Sequence, residues 1–360
     1  MSRLERLRAR MREAAVPALL VTDRPNRAYL TGFVGSLGWA IVTPDRQMLL
    51  VDDRYTEQAA AEATGWDVVR CEFGALLDGG AVTEPLRRLK VGRLGVEVDK
   101  ITVTLHEGVA RAAAAAGATV FPAAGHVEAL RQIKEPDEIA RIEAAARVAE
   151  AAIAACLPML RPGATEQAFA WALERHCREA GASGMAFNLI GSGPRSALPH
   201  CTPTGRALEP GDLVLVDIGP IVNGYHADIT RMFVVGEPQP WQREIHAIAL
   251  EAQARAIAAC RPGVRADALD AIARDHIARA GYGDQFLHLL GHGIGAYGTT
   301  EDPKIMPGVA DVLRPGMVIT IEPGIYLSGR GGARVEETVL VTEDGCRLLT
   351  RLPHDLQRTA

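Results

Sequence analysis

The sequence predicts an α/β (α+β) protein of two domains, in which a mixed-sheet domain precedes a domain built from two similar halves. Helix-like and strand-like segments alternate over residues 1–127, which is typical of a mixed α/β sheet. A pattern of helix followed by hairpin occurs twice over residues 128–360, which predicts two halves related by a pseudo-two-fold axis. A length of 360 residues also suits about two domains.

Composition excludes several classes of protein. Apolar residues make up 48% and charged residues 23%, as in ordinary globular proteins. A net charge of −5 provides no basic surface for nucleic acid, and no apolar run is long enough to span a membrane. Six scattered cysteines lack zinc-site spacing, so they are interpreted as free thiols. We expect a cytoplasmic protein with no nucleic-acid or membrane partner.

The first domain contains an N-terminal helix, several strands and a second clear helix. The arginine-rich start is interpreted as an amphipathic helix rather than a targeting peptide, because it lacks a long apolar core and a cleavage site. Gly117 ends a second helical segment. Four apolar segments bounded by turn residues predict strands, at 17–23, 39–44, 47–53 and 93–99.

The second domain repeats itself. "RPGATEQAFAWALERHCREAG" at 161–181 matches "RPGVRADALDAIARDHIARAG" at 261–281, and the histidines that align within these amphipathic helices are interpreted as structural. "LEPGDLVLVDIG" at 208–219 matches "LRPGMVITIEPG" at 313–324. Each copy therefore contributes helices followed by a strand hairpin.

Each hairpin carries two acids inside apolar strands. The repeat aligns Asp217 with Glu322, and the next strand places Asp228 near Glu336. The Asn-Gly pair at 223–224 is a strong hairpin signal. With that turn, Asp217 and Asp228 would need a β-bulge in order to face each other. The two-fold axis would bring both acid pairs together.

Four neighbouring carboxylates require compensation. At an effective dielectric constant near 20, each contact at about 4 Å costs roughly 4 kcal/mol. Two divalent cations would balance the four charges. Each half also offers a histidine, in "LPH" at 198–200 and in "LGHGIG" at 290–295. Oxygen ligands with an imidazole suit manganese, with cobalt, zinc or iron as alternatives. Two such ions about 3.5–4 Å apart can share a water, lower its pKa to near 7 and so produce a hydroxide nucleophile.

Five motifs make residues 128–360 resemble the pita-bread fold of methionine aminopeptidase and the Xaa-Pro peptidases. They are "SALPH", "LVLVDIGPIVNGYHADITR", "GHGIG", "TIEPGIY" and "ARVEET". The resemblance implies five metal ligands: Asp217, Asp228, His292, Glu322 and Glu336. It also implies that Asp228 and Glu336 bridge the two ions.

Residues 1–127 resemble the N-terminal domain of prolidase, aminopeptidase P and creatinase through "TGFVGSLGWAIV" and "VDDRYTEQA". Methionine aminopeptidases typically lack this domain, so the resemblance implies hydrolysis of Xaa-Pro bonds, as a dipeptidase first and as an aminopeptidase P second. A metal-dependent pita-bread enzyme acting on a small non-peptide molecule is a further alternative. Two other classes are disfavoured because this chain has all five ligands. Creatinase lacks the metal ligands, and a non-catalytic binding protein should have lost them. We also expect a homodimer.

Further residues are assigned around the metals. The resemblance implies that His200 and His288 bind substrate and take part in catalysis, and that Glu322 also shuttles a proton. Arg334 lies two residues before Glu336, on the same strand face. It is a candidate anchor for that glutamate or for the substrate, with a structural ion pair as the alternative.

One departure concerns substrate contacts. Relatives usually carry a further histidine seven residues after the metal-ligand histidine, whereas this chain has Thr299 there. We expect another side chain to supply the missing contact, and the candidates are Tyr297, Arg195 and Arg334.

Arg54, in "VDDRYTEQA", is a candidate in the first domain. One interpretation is a surface arginine or an ion pair within the fold. The other is a guanidinium that reaches the active site of its own chain or of a dimer partner. There it would pair with the free carboxylate of a dipeptide.

Overall fold

The computed structural model describes residues 1–296, 298 and 300–359. The chain forms two compact units, Met1–Arg131 and Gln132–Ala360. Within the described ranges, no helix is both long enough and apolar enough to cross a membrane.

The first unit is a six-stranded mixed sheet with surrounding helices. Its strands are β1 (Leu19–Val21), β2 (Trp39–Val42), β3 (Gln47–Val51), β4 (Asp67–Arg70), β5 (Arg93–Val96) and β6 (Thr119–Pro122). They lie in the order β4-β3-β2-β1-β5-β6, and β2 is antiparallel to both of its neighbours while the other pairs are parallel. The helices are α1 (Arg3–Glu13), α2 (Arg24–Thr31), α3 (Thr56–Glu62), α4 (Phe73–Asp78), α5 (Thr83–Leu89), α6 (Val103–Ala115) and α7 (Glu128–Arg131).

Local sequence accounts for the elements that were predicted. Ser2 caps α1 in a capping box with Glu5, and the helix buries Leu7 and Met11. The four predicted strands are β1, β2, β3 and β5, which are confirmed. Helix α6 ends before Gly117, whose φ of +80° suits the end of a helix. Strands β4 and β6 lie at the sheet edges and are only partly buried, so they lack a strong apolar signal.

The second unit contains four α-helices in its described part, α8 (Pro136–Cys156), α9 (Glu166–Glu179), α10 (Pro240–Ala259) and α11 (Ala266–Arg279). The strands of its first half are β7 (Gly184–Ser192), β8 (Leu213–Val222), β9 (Tyr225–His226) and β10 (Ile229–Val235). The later strands are β11 (Gly291–Ile294), β12 (Thr300–Ile305), β13 (Val318–Ile321), β14 (Gly324–Leu327), β15 (Gly331–Arg334), β16 (Glu337–Val341), β17 (Cys346–Leu348) and β18 (Gln357–Thr359).

These strands form two sheets and a ribbon. One sheet has the order β18-β10-β8-β7, with β9 paired to β8, and the other has the order β12-β11-β13-β16-β17. Strands β14 and β15 form the ribbon. The antiparallel triplet β7-β8-β10 has its counterpart in β11-β13-β16, and each triplet follows a pair of helices. The predicted two-half architecture is therefore confirmed.

Two apolar cores support the strands of this unit, and the second is shared by both halves, since it also contains Leu213 and Leu215 of β8. Phe169 of α9 and Val216 of β8 are fully buried in the first core. Leu269 of α11 and Ile319 of β13 are fully buried in the second. These cores hold the strands whose acids form the site described next.

Candidate metal centre

The first acid pair lies in the hairpin of β8, β9 and β10. Residues 223 and 224 form its tight turn, with φ values of +49° and +80°. The described pairs keep one register on both sides of Asp228, so Asp217 lies opposite Thr230 and diagonal to Asp228. The expectation of a bulge that sets the two aspartates face to face is therefore wrong. Diagonal neighbours on one sheet face lie about 7–8 Å apart, which lets their carboxylates converge.

The second acid pair faces directly across a hairpin. Glu322 follows β13 and Glu336 precedes β16. The pairs Ile321–Glu337 and Gly324–Arg334 flank them in a single register. The two glutamates consequently lie opposite each other.

The acids and one histidine converge on a common point. One carboxylate oxygen from each of Asp217, Asp228 and Glu336 lies within 4.8 Å of the other two, and all three residues are buried. His292 Nε2 lies 3.7 Å from Asp228 Oδ2 and 3.5 Å from Glu322 Oε1. The structure thus brings together all five residues predicted to bind metal.

Without a cation, the surroundings of this cluster disfavour four negative charges. Burial and the neighbouring carboxylates raise the pKa of Asp228 and of Glu336 well above the usual range. Burial also raises the pKa of Glu322 to about 7. For Asp217, burial raises the pKa, although the Arg334 guanidinium opposes that shift.

Two buried oxygens fit a cation. Among the described residues, Asp217 Oδ1 and Glu336 Oε1 have no hydrogen-bond partner. The second oxygen of each group is held in place, since Arg334 donates to Asp217 Oδ2 and Thr230 Oγ1 donates to Glu336 Oε2 at 2.8 Å. Leaving buried oxygens unpaired is unfavourable, and hard divalent cations prefer oxygen ligands. The donor set therefore suits divalent metal ions.

His292 is held in a ligand form. Its Nδ1–H donates to the Gly293 carbonyl at 3.0 Å, which leaves the Nε2 lone pair facing the carboxylates. Burial lowers the pKa of His292 to about 4, so the ring is neutral near pH 7. A Cβ at Gly291 would lie 1.9 Å from the Thr320 carbonyl oxygen, and one at Gly293 would lie 2.4 Å from that of Asp302. The "GHG" sequence therefore allows close packing around the histidine.

Arg334 holds the acidic cluster in place through hydrogen bonds. It is buried and donates to Thr230 Oγ1 at 3.0 Å, to the Tyr326 hydroxyl at 2.9 Å and to the Pro199 carbonyl at 2.9 Å, besides Asp217. These contacts agree with the structural ion pair, which is made with Asp217, and they reach Glu336 only through Thr230. A role in substrate binding stays a prediction.

The two histidines predicted to bind substrate differ in burial: His200 is exposed, whereas His288 is half-buried. A cavity of about 360 Å³ opens onto Asp217, Asp228, His292 and Glu322, and the exposed His200 also lines it. His288 is half-buried, and its Nε2 accepts from the Tyr326 hydroxyl at 2.8 Å. Because that hydroxyl accepts from Arg334, His288 is joined to the cluster by a chain of hydrogen bonds.

The remaining candidates concern the contact that the missing histidine would have made. Arg195 pairs with Glu166 at 3.1 Å and donates to the Thr202 carbonyl, so its guanidinium is already engaged. Tyr297 and Thr299 lie outside the described residues.

Arg54 lies in the first unit. It forms a two-point ion pair with Asp52, with Nε 2.9 Å from Oδ1 and Nη2 2.7 Å from Oδ2. Its guanidinium also lies 4.5 Å from the centre of the Phe73 ring. These contacts agree with the fold ion pair, and the carboxylate clamp stays a prediction.

Sequence reasoning missed three residues at this centre. Thr230 lies opposite Asp217 and binds Glu336, a place that the hairpin register would have revealed. Tyr326 links Arg334 to His288, and His226 lines the cavity. His226 lies two residues before Asp228, so strand alternation could have placed it on the same face. The bond from Tyr326 to His288 spans 38 residues, and no local pattern predicts it.

Comparison with known proteins identifies the family. Residues 140–343 match metallopeptidase family M24, and residues 3–133 match the Creatinase/Prolidase N-terminal domain. The chain belongs to metallopeptidase family M24. Membership confirms the predicted family and fold, and it implies divalent metal ions at the acidic cluster.

Three similar proteins show how far the similarity extends. The Xaa-Pro dipeptidase of Pyrococcus furiosus is 46% identical over 64% of this chain and 66% of its own length. An Xaa-Pro dipeptidase structure from Bacillus anthracis has a TM-score of 0.93 and 37% identity, covering 99% of each chain. An X-Pro aminopeptidase structure from Thermotoga maritima has a TM-score of 0.91 and 34% identity, covering 100% of both chains.

Proposed function

We propose that this M24 protein hydrolyses Xaa-Pro dipeptides with two divalent metal ions per chain, manganese being the first candidate. The observation that carries the proposal is the convergence of five ligand side chains around two buried, unpaired carboxylate oxygens. The dipeptidases of Pyrococcus furiosus and Bacillus anthracis support the choice of substrate. We also propose a cytoplasmic homodimer; its six free cysteines suit a reducing compartment.

In this proposal, different residues of the chain transfer the proton and position the substrate. Divalent ions would be held by the five predicted ligands, and they would lower the pKa of a nearby water and polarise the substrate carbonyl. Glu322 is oriented by Thr320, whose Oγ1 donates to its Oε1 at 2.9 Å. This carboxylate takes the proton from the attacking water and passes it to the proline nitrogen as the amide bond breaks.

The histidines and Arg334 position the reaction. His200, exposed on the cavity lining, donates a hydrogen bond to the substrate. His288 acts through Tyr326, because the hydroxyl that it binds also meets Arg334. Arg334 in turn fixes Asp217. Each contact orients a group within the cavity. Holding reacting groups in the right geometry lowers the entropic cost of reaching the transition state.

A second candidate function is that of an aminopeptidase P acting on longer peptides. It is favoured by the likeness to the Thermotoga maritima X-Pro aminopeptidase, which covers all of this chain. The two functions differ in whether a free carboxylate must follow the proline. Peptide length therefore separates them.

The test is hydrolysis of three peptides by manganese-loaded protein. We expect Ala-Pro to be cleaved faster than Ala-Pro-Ala, and Ala-Ala to be cleaved at least about 100-fold more slowly than Ala-Pro, since a pocket shaped for proline rejects it. Equal rates on Ala-Ala and Ala-Pro would contradict the Xaa-Pro proposal. Faster cleavage of Ala-Pro-Ala would establish the aminopeptidase instead.

A matched pair of variants ties the activity to the cluster. Asp228→Asn should abolish hydrolysis, because Asp228 is a cluster ligand. Asp212→Asn is the control, since Asp212 is buried to a similar degree but pairs with Arg206. Equal losses in both variants would assign the effect to general destabilisation.

A further inference from the structure

His226 is a buried imidazole at the metal cavity that the proposed mechanism does not use. It belongs to β9, is 2% exposed and lines the same cavity as Asp228, two residues further along. Its ring meets the ring of Phe187, another lining residue, edge to face at 6.5 Å between centroids. A polar ring in this place can contact whatever fills the cavity.

One ring nitrogen of His226 is already committed. Nδ1 lies 2.9 Å from the Gly295 carbonyl oxygen, which can only accept, so Nδ1 carries the hydrogen. In the neutral ring, Nε2 then offers a lone pair and acts as an acceptor. The structure therefore fixes the hydrogen-bonding role of this histidine as well as its place.

The carbonyl that sets this tautomer is itself held firmly. A Cβ at Gly295 would lie 2.2 Å from Glu301 Oε1, so the glutamate packs tightly against this glycine. Glu301 is in turn paired with Lys134 at 2.9 Å, and both side chains are almost completely buried. The His226 main-chain N–H also points to the Gly295 carbonyl oxygen, at 3.3 Å. Rotation of the imidazole would break a defined set of contacts.

An Xaa-Pro dipeptide offers few donors to such an acceptor. Its scissile bond is a tertiary amide without an N–H, so the only main-chain N–H groups belong to the free amino group of the first residue. That group is an ammonium at neutral pH, so it has hydrogens to donate and no lone pair to accept with. Donor and acceptor are therefore complementary.

We propose that His226 Nε2 accepts a hydrogen bond from the free amino group of the substrate's first residue, and thereby selects peptides with an unblocked N-terminus. This inference rests on the proposed Xaa-Pro hydrolysis. It assigns to His226 a role in substrate binding rather than in the chemical step.

Two substitutions distinguish the roles of Nδ1 and Nε2 of His226. In His226→Asn the side-chain amide can still donate to the Gly295 carbonyl in place of Nδ1, but nothing remains at the position of Nε2. In His226→Gln the longer side chain restores an oxygen acceptor there. The probes are Ala-Pro and propionyl-proline, which differ only in the amino group, the second being measured as a competitive inhibitor.

We expect His226→Asn to raise KM for Ala-Pro by about 10- to 100-fold, as for a lost hydrogen bond to a charged group. Its kcat should stay within about threefold of the wild-type value, because the lost hydrogen bond stabilises the bound substrate and the transition state equally. The inhibition constant of propionyl-proline should hardly change, and His226→Gln should recover most of the affinity for Ala-Pro. His246→Asn, at a buried histidine of α10, is the control and should leave the ratio of the two constants unchanged.

Two further readouts do not depend on turnover. Metal content should match the wild type in every variant. Nitrogen-15 spectra of histidine-labelled protein should show His226 protonated at Nδ1, with the His226→Gln spectrum supplying the assignment. A tautomer protonated at Nε2, or an unchanged ratio of constants in His226→Asn, would overturn the inference. If the wild type itself fails to cleave Ala-Pro, the proposed function fails, and this inference fails with it.

Discussion

Replacing Thr230 by valine should weaken metal binding although Thr230 is not itself a ligand. Thr230 is completely buried, and its hydroxyl donates to Glu336 Oε2 at 2.8 Å while accepting from Arg334 Nε at 3.0 Å. Valine keeps the shape but removes both hydrogen bonds. Glu336 is then free to rotate away from the position that a metal requires.

The expected magnitude follows from the two hydrogen bonds that valine cannot form. Removing a partner that orients a metal ligand typically reduces metal affinity by about 10- to 100-fold. That range corresponds to about 1.4–2.8 kcal/mol. Because Glu336 Oε2 and Arg334 Nε are each left without this partner, the free energy of unfolding of the metal-free protein should fall by about 1–3 kcal/mol.

The assay is calorimetric titration of metal-stripped protein with manganese, together with thermal unfolding. Thr338→Val is the matched control, because Thr338 is just as buried but donates to the main-chain carbonyl of Asp228 at 2.8 Å rather than to a carboxylate. Its metal affinity should stay within about threefold of the wild type. Wild-type metal affinity in Thr230→Val, or equal losses in both variants, would refute the claim that the hydroxyl orients Glu336.

Three further predictions concern arginines and a buried glutamate. Arg54→Ala should reduce turnover of Ala-Pro more than that of Ala-Pro-Ala if its guanidinium binds a dipeptide carboxylate, and equal losses would exclude that clamp. Arg334→Met should lower the free energy of unfolding of metal-free protein by about 3–5 kcal/mol, because it breaks the buried ion pair with Asp217; a change under about 1 kcal/mol in denaturant titration would contradict this. Burial and Glu128 raise the pKa of Glu97 from 4.5 to about 8, so the folded state retains a proton that the unfolded chain releases. Stability should therefore fall as pH rises from about 4.5 to 8, and Glu97→Gln should show a smaller fall in melting temperature between pH 6 and pH 9 than the wild type.

The parts of the fold that were predicted depend on local signals. The positions of Asp217 and Glu322 followed from the internal repeat, since matched strands place matched side chains on the same face. The turn at 223–224 followed from its Asn-Gly pair. The strands that carry or precede these acids are apolar and buried, so tertiary context agrees with their local preference.

The parts that failed depend on register and on distant contacts. The acids of the first hairpin were expected to face each other through a bulge, whereas the register is uninterrupted and they lie diagonally. Tyr326 binds His288, which is 38 residues away, and His226 binds the carbonyl of Gly295, which is 69 residues away. Periodicity reports which face a side chain occupies, but it carries no information about what lies opposite that face in another part of the fold.

The most direct test of the central claim is a metal titration of Ala-Pro hydrolysis. Metal-stripped wild-type protein receives manganese in fractions of one equivalent per chain, and the rate is recorded after each addition. We expect no activity without metal and a plateau at two equivalents per chain, with Asp228→Asn inactive throughout. Full activity in the metal-stripped protein, or a rate that does not respond to added manganese, cobalt, zinc or iron, would contradict the central claim.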